Sequence, residues 1–223
     1  MDKIKTSDLF DLAHTRAAQM LAQCEYPWEA LGKIGETVLA IGKTLSSEQF
    51  DRPQEDVWIA KTASVAKTAS IAGPCIIGER TEVRPGAFIR GNVLVGDGAV
   101  VGNSTELKNC ILFDGVQVPH YNYVGDSVLG YKAHMGAGAI TSNVKGDKTA
   151  IVVRGESRYE TGRKKFGAML GDHAEIGCNS VLNPGTVVGR DAQVYPLSSV
   201  RGVVPEDHIV KGERGVFPKE NRG

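Results

Sequence analysis

Aromatic side chains are scarce in this sequence, at 6%, and neither sign of charge is in excess, with 26 Lys and Arg against 26 Asp and Glu. The first scarcity excludes a core built round large rings. The second excludes a long nucleic-acid footprint or a polybasic membrane surface, so any phosphate must be bound locally. No apolar run approaches the roughly 20 residues of a membrane-spanning helix. The opening Met1-Asp2-Lys3-Ile4-Lys5-Thr6 lacks the apolar stretch of a secretion signal, and a cytoplasmic location is expected. Cys24, Cys75, Cys110 and Cys178 form no Cys-x-x-Cys pair, which argues against a zinc site or disulfide frame and for reduced, buried thiols. What is plentiful is glycine, 27 residues, the mark of many tight turns.

Residues 1–55 read as a helical region. Leu9, Phe10, Leu12, Ala13, Ala17, Met20 and Leu21 recur at helical spacing and predict a helix from Asp8 to about Ala22. Pro27 then sits where a first-turn proline belongs, ahead of a second helix from about Trp28 to Leu45. From Ile59 the period becomes six: Ile59, Val65, Ile71, Ile77, Val83, Ile89, Val95, Val101, Leu107 and Phe113. A period of six does not match 3.6 and would drift round a helix, whereas a β-solenoid meets it with one short strand and turn per hexapeptide, three to a coil. The fold expected is mainly β, a parallel β-helix over residues 56–205 with a small N-terminal helical cap and a tail over residues 206–223.

The period breaks twice. It fails around Pro119–Asn122, resumes as Tyr123, Leu129, Met135 and Thr141, fails again from Ser142 to Met169, and returns as Leu170, Ile176, Leu182, Val188, Val194 and Val200. A solenoid repeats for stability and departs from repetition where a loop serves another purpose. The second departure carries Lys145, Lys148, Arg154, Arg158, Arg163, Lys164 and Lys165 against Asp147, Glu156 and Glu160, a net charge of +4 (7 minus 3) and a candidate anion site.

The segment His120-Tyr-Asn-Tyr-Val-Gly-Asp126, followed by Gly136-Ala-Gly-Ala-Ile-Thr-Ser-Asn143, resembles the hexapeptide-repeat acyltransferases. The likeness is strongest to the acetyltransferase half of the bifunctional enzyme that acetylates glucosamine-1-phosphate and then attaches uridylate, and it covers about residues 57–205. It implies a left-handed β-helix, against the usual right-handed crossover, and an acetyl-CoA-dependent N-acetyltransferase acting on an amino-sugar 1-phosphate, glucosamine-1-phosphate or galactosamine-1-phosphate. It also implies direct transfer without an acyl-enzyme, no metal, and a homotrimer with sites between neighbouring solenoids. Small-molecule substrates are the partners expected, with no nucleic acid and no membrane. Uridylyl transfer is not expected, because the 55 or so residues before the solenoid hold no glycine-rich nucleotide loop.

The resemblance places His120 as the general base, a role suited to a group titrating near neutrality. It places Asn143 at the amine or thioester, and Arg90, Glu106 and Lys108 as sugar-phosphate ligands; Tyr123, a hydrogen-bonding group for the phosphate or sugar, and Lys148 on the basic segment join this substrate set. A backbone N–H of Gly136, Ala137 or Gly138 would meet the oxyanion, and coenzyme A phosphates would lie near Lys164, Lys165, Arg190 or Arg201. One departure stands out: His134 takes a position where the glucosamine-1-phosphate enzymes usually have Asn, which puts the identity of the acceptor in question. His120, His134 and His173 also admit a second reading, a zinc protein similar to the γ-class carbonic anhydrases, and a non-catalytic scaffold is a third.

Overall fold

The structure, a computed structural model, describes residues 2–220; Met1 of the expected helical region and residues 221–223 of the expected tail lie outside the described residues. It is mainly β, a parallel β-helix preceded by a short helical region, as expected. Each coil lays down three strands, and corresponding strands of successive coils pair in parallel. Trp58↔Ile76, Val65↔Val83 and Ile71↔Ile89 are each eighteen residues apart, one coil. Many corners are turned by residues with positive φ, among them Asn92, Asn109, Asp126 and Asn179. Asn and Asp tolerate that region better than other side chains, which is why corners read as polar.

Alternation along the strands gives each face an outward ladder. On the first face it runs Trp58, Ile76, Leu94, Ile111, Val128, Met169 and Val187. On the second it runs Ser64, Glu82, Val100, Gln117, His134, Glu175 and Gln193. On the third it runs Ser70, Phe88, Glu106, Tyr123, Ile140, Val181 and Ser199. The first ladder is apolar and buried because the N-terminal region lies across it, with Phe10 against Phe113 and Trp28 against Phe166.

That covering segment does not form the two helices that spacing predicts. In place of Asp8–Ala22 stand Thr6–Leu9, a 3-10 turn at Leu12–His14, and Ala18–Leu21. In place of Trp28–Leu45 stand a 3-10 stretch Pro27–Gly32 and the helix Ile34–Gly42. The reason lies in the backbone groups. The Leu9 and His14 carbonyls accept from the Asp172 and Asp114 N–H groups at 3.0 Å each, and the Asp11 N–H donates to Asp172 at 2.7 Å. The Glu29 and Leu31 carbonyls accept from the Arg163 and Asn109 side chains at 3.1 Å each. Groups engaged by the solenoid are not available for a continuous helical ladder.

The first break in the period also differs from expectation. The strand Gln117–His120 runs straight through Pro119. The register is lost earlier: Ile89↔Leu107 spans eighteen residues but Val93↔Cys110 only seventeen, so one residue is dropped at the corner holding Asn109. The inward residue of the next coil is therefore Val124, paired with Leu107, and Tyr123 faces out. The second break is a true excursion: Val128 pairs with Met169, 41 residues on, and the intervening chain carries the hairpin Val152–Arg154/Arg158–Glu160. The parallel ladder continues past residue 205 to His208–Val210, on which Val216–Pro218 folds back antiparallel.

Candidate active site

Two long strands, Glu106–Leu112 and Tyr123–Leu129, run from the third face round a corner onto the covered first face. The corner residues are Asn109 and Asp126, with φ of 49° and 48°. Just before the corner the outward side chains stack coil on coil. The Arg90 guanidinium lies 2.7 Å from the Glu106 carboxylate, and Lys108 Nζ lies 3.6 Å from Asp126 Oδ2. Asn143 Nδ2 donates to Tyr123 Oη at 3.2 Å and to Asp126 Oδ2 at 2.5 Å. Asp126, 4% exposed, accepts on its other oxygen from Asn109 Nδ2 at 2.9 Å.

Gly125 makes this packing possible. A Cβ there would stand 2.4 Å from Tyr123 Oη and 3.0 Å from Asn143 Nδ2, so only glycine lets the tyrosine lie back over its own strand. Burial pushes the Tyr123 hydroxyl above its ordinary range, and the Asp126 and Glu106 carboxylates push it the same way. It stays protonated at neutral pH and, having accepted from Asn143, can donate to a ligand. Glu106 raises the Arg90 pKa by hydrogen bonding and charge, so the guanidinium keeps its proton.

His120 stands round the next corner, three residues before Tyr123, with its ring exposed. Its backbone is pinned by buried Asn122. The His120 N–H donates to Asn122 Oδ1 at 3.1 Å, and Asn122 Nδ2 donates to the Gly136 and Ala139 carbonyls at 2.8 and 3.0 Å. The His120 carbonyl accepts from the Gly138 N–H at 2.9 Å. The two motifs are thus tied into one corner. Gly138 has a φ of 71°, and a Cβ there would meet Asn179 Oδ1 at 2.1 Å.

The residues singled out by sequence fall into two sets. Arg90 pairs with Glu106, and Lys108, Tyr123 and Asn143 are linked through Asp126, the two groups lying side by side where Glu106 and Tyr123 pair in the ladder, with His120, Ala137 and Gly138 on the adjoining corner. His134, Lys148, Lys164, Lys165 and Arg201 are not part of that cluster. His134 is on the second face, its backbone paired with Gln117 and its Nδ1 2.8 Å from Glu175 Oε2. Lys148, Lys164 and Lys165 are exposed along the excursion. Arg190 lies 3.6 Å from Asp172 under the N-terminal cover. Arg201 lines a cleft of about 270 Å³ beneath the hairpin, together with Lys145, Thr149, Arg154, Pro184 and Arg158, the last paired with Glu160 at 2.8 Å on the same wall. Among the described residues no group of three or more His, Cys, Asp or Glu is placed to hold a metal ion. Sequence reading missed Asn109 and the role of Asp126, because the period of six from Leu107 to Phe113 runs across Asn109 unbroken and the slip shows only in the strand pairing.

Residues 71–157 match the family model described as the GMPPB C-terminal domain, which covers less than half of the chain. The chain is 29% identical over 227 residues to a bifunctional sugar-1-phosphate nucleotidylyltransferase/acetyltransferase from Sulfurisphaera tokodaii, covering 88% of this chain and 54% of that protein. It is 36% identical over 134 residues to a bifunctional protein GlmU from Nostoc sp., covering 60% of this chain and 26% of the relative. The chain thus spans between a quarter and about half of these relatives' lengths. These are proteins of the kind that the motifs at His120 and Gly136 resemble. Among solved structures, the acetyltransferase domain of PglB from Neisseria gonorrhoeae in complex with acetyl coenzyme A aligns with a TM-score of 0.38 and 16% identity, over 73% of this chain and 57% of that one.

Proposed function

We propose that this chain transfers an acetyl group from acetyl-CoA to the amine of an amino-sugar 1-phosphate. The observation that carries the reading is that successive coils set the Arg90–Glu106 pair beside the group of Lys108, Asp126, Tyr123 and Asn143, near the corner of His120. Arg90 and Lys108 supply the cations that a sugar phosphate requires, and Tyr123 an additional donor. The His120 ring takes a proton from the acceptor amine as its nitrogen attacks the thioester carbonyl. The C–N bond forms, the tetrahedral intermediate collapses with loss of the C–S bond, and the proton passes to the leaving thiolate. No acyl-enzyme is needed. The Gly136 and Gly138 N–H groups are spent on the Ile176 and His120 carbonyls, which leaves the Ala137 N–H to meet the oxyanion.

The cleft holding Lys145, Arg154, Arg158 and Arg201 is the seat we assign to the phosphates of coenzyme A. The open second and third faces suit a homotrimer in which neighbouring solenoids close the site, and four unpaired thiols, three buried and Cys178 exposed against expectation, suit the reducing cytoplasm. The proposal concerns acetyl transfer alone, since the chain spans only part of its bifunctional relatives.

The test is release of free coenzyme A by purified protein given acetyl-CoA with glucosamine-1-phosphate or galactosamine-1-phosphate. His120→Ala is expected to lower turnover by about 10²- to 10⁴-fold. A folded protein that releases no thiol with either sugar refutes the assignment.

A further inference from the structure

Asp126 belongs to no set of residues assigned a role above, yet it is the hub of the cluster. Its carboxylate is buried and can only accept. Oδ2 receives Asn143 Nδ2 at 2.5 Å and has Lys108 Nζ at 3.6 Å; Oδ1 receives Asn109 Nδ2 at 2.9 Å. Asn109 Nδ2 has two protons, and the other goes to the Leu31 carbonyl of the N-terminal region at 3.1 Å. A continuous chain of polar contacts therefore runs from the covering segment, through one corner asparagine and one buried carboxylate, to the amide of Asn143.

The consequence for Asn143 is chemical. Both of its amide protons are engaged, one by Asp126 and one by Tyr123 Oη, so the side chain is locked with its Oδ1 as the one atom left to meet a ligand. That oxygen only accepts. We infer that Asp126 is a positioning residue that fixes Asn143 as a hydrogen-bond acceptor for the attacking group and thereby selects an amine over a hydroxyl; this rests on the acetyl-transfer reading above. An attacking amine has one proton for His120 and another for Asn143 Oδ1. A hydroxyl has a single proton, and the base requires it. Lys108, held by the same carboxylate, is set at the same time as Asn143, so one buried group orients both the phosphate-binding cation and the amine acceptor.

The experiment is a double-mutant cycle on turnover with Asp126→Asn, Asn143→Ala and the double variant, with melting temperatures recorded for each. Asp126→Asn sets an amide against the Asn143 amide and frees it to turn. The expected loss in kcat is roughly 10- to 100-fold for either single variant, with KM for acetyl-CoA held, and the double variant is no slower than Asn143→Ala alone. Losses that multiply, or an Asp126→Asn protein within about twofold of the parent, overturn the inference. If Asp126→Asn does not fold, Asn109→Gly decides the question. Glycine keeps the left-handed corner and removes the Oδ1 anchor together with the bond to the Leu31 carbonyl, and kcat is expected to fall by a smaller factor, with unchanged kcat overturning the proposal. A parent protein inert toward amino-sugar phosphates sinks the acetyl-transfer reading instead. The positioning role is then judged by the side-chain amide resonances of Asn143, which shift in Asp126→Asn if the two groups are bonded and hold still if they are not.

Discussion

The first face of the solenoid and the other two are built from the same inward aliphatics, and they differ only in what points out. On the first face the outward ladder from Trp58 to Val187 is apolar and lies beneath the N-terminal region. On the second and third faces the same positions carry Glu82, Gln117, His134, Glu106 and Tyr123, and they stay at least partly open. The inward half of each strand holds the coil together whatever faces out, so the outward half is free to differ. One face uses that freedom for a second layer of core. The other two use it for chemistry, and the candidate site sits at the corner where the two kinds of face meet.

The comparison can be broken from the covered side first. Leu94→Ala, in the middle of the buried ladder, should cost about 2–5 kcal/mol of unfolding free energy, while Glu82→Ala on the open second face should stay within about 0.5 kcal/mol. Chemical denaturation of both variants checks this, and equal effects would mean the cover contributes no core. A smaller effect on stability, coupled to lost activity, is expected at the corner. Gly125→Ala forces a Cβ against Tyr123 Oη and should destabilise by about 1–3 kcal/mol while displacing the Tyr123–Asn143 bond, read as a fall in turnover larger than stability alone explains.

The smallest effect concerns Asp172, which receives the Asp11 and Tyr131 N–H groups beneath the cover. Burial pushes its carboxyl above the ordinary range, against the pull of those N–H groups and of Arg190. The native state therefore holds this proton more tightly than the unfolded chain does. The group favours folding below the ordinary carboxylate range and loses that advantage as pH rises through the interval between the ordinary and the raised value. Asp172→Asn should lower stability overall but remove this descent from the pH profile above about pH 4, as followed by denaturant midpoints.

Much of this was legible in the residues. A strict period of six is enough for stacked coils, and the eighteen residues from Arg90 to Lys108 are enough to set those two side chains on neighbouring coils, whereas Tyr123, which the period placed inward, faces out. The three-face distinction was present too: on every third hexapeptide the residue before the inward aliphatic is large and apolar, as at Trp58, Ile76 and Leu94. The helices were not legible, because Leu9, His14, Glu29 and Leu31 give their carbonyls to distant partners that no local pattern records. Nor was the role of Asp126, which depends on Asn109 dropping one residue from the register and so turning its amide toward the next corner. Periodicity reports the element that repeats, and a contact made once in the molecule leaves no period.

The excursion after Thr141 has a consequence for engineering. The coils before and after it resume in register on all three faces at the same step of 41 residues, Val128 to Met169, His134 to Glu175 and Ile140 to Val181. The ladder closes behind the loop as though nothing had been inserted. This point in the wall is therefore a graft site. A different loop joined between Asn143 and Phe166 would meet the same coils, provided that it kept the packing of Phe166 on Trp28 and replaced the bond from Arg163 to the Glu29 carbonyl.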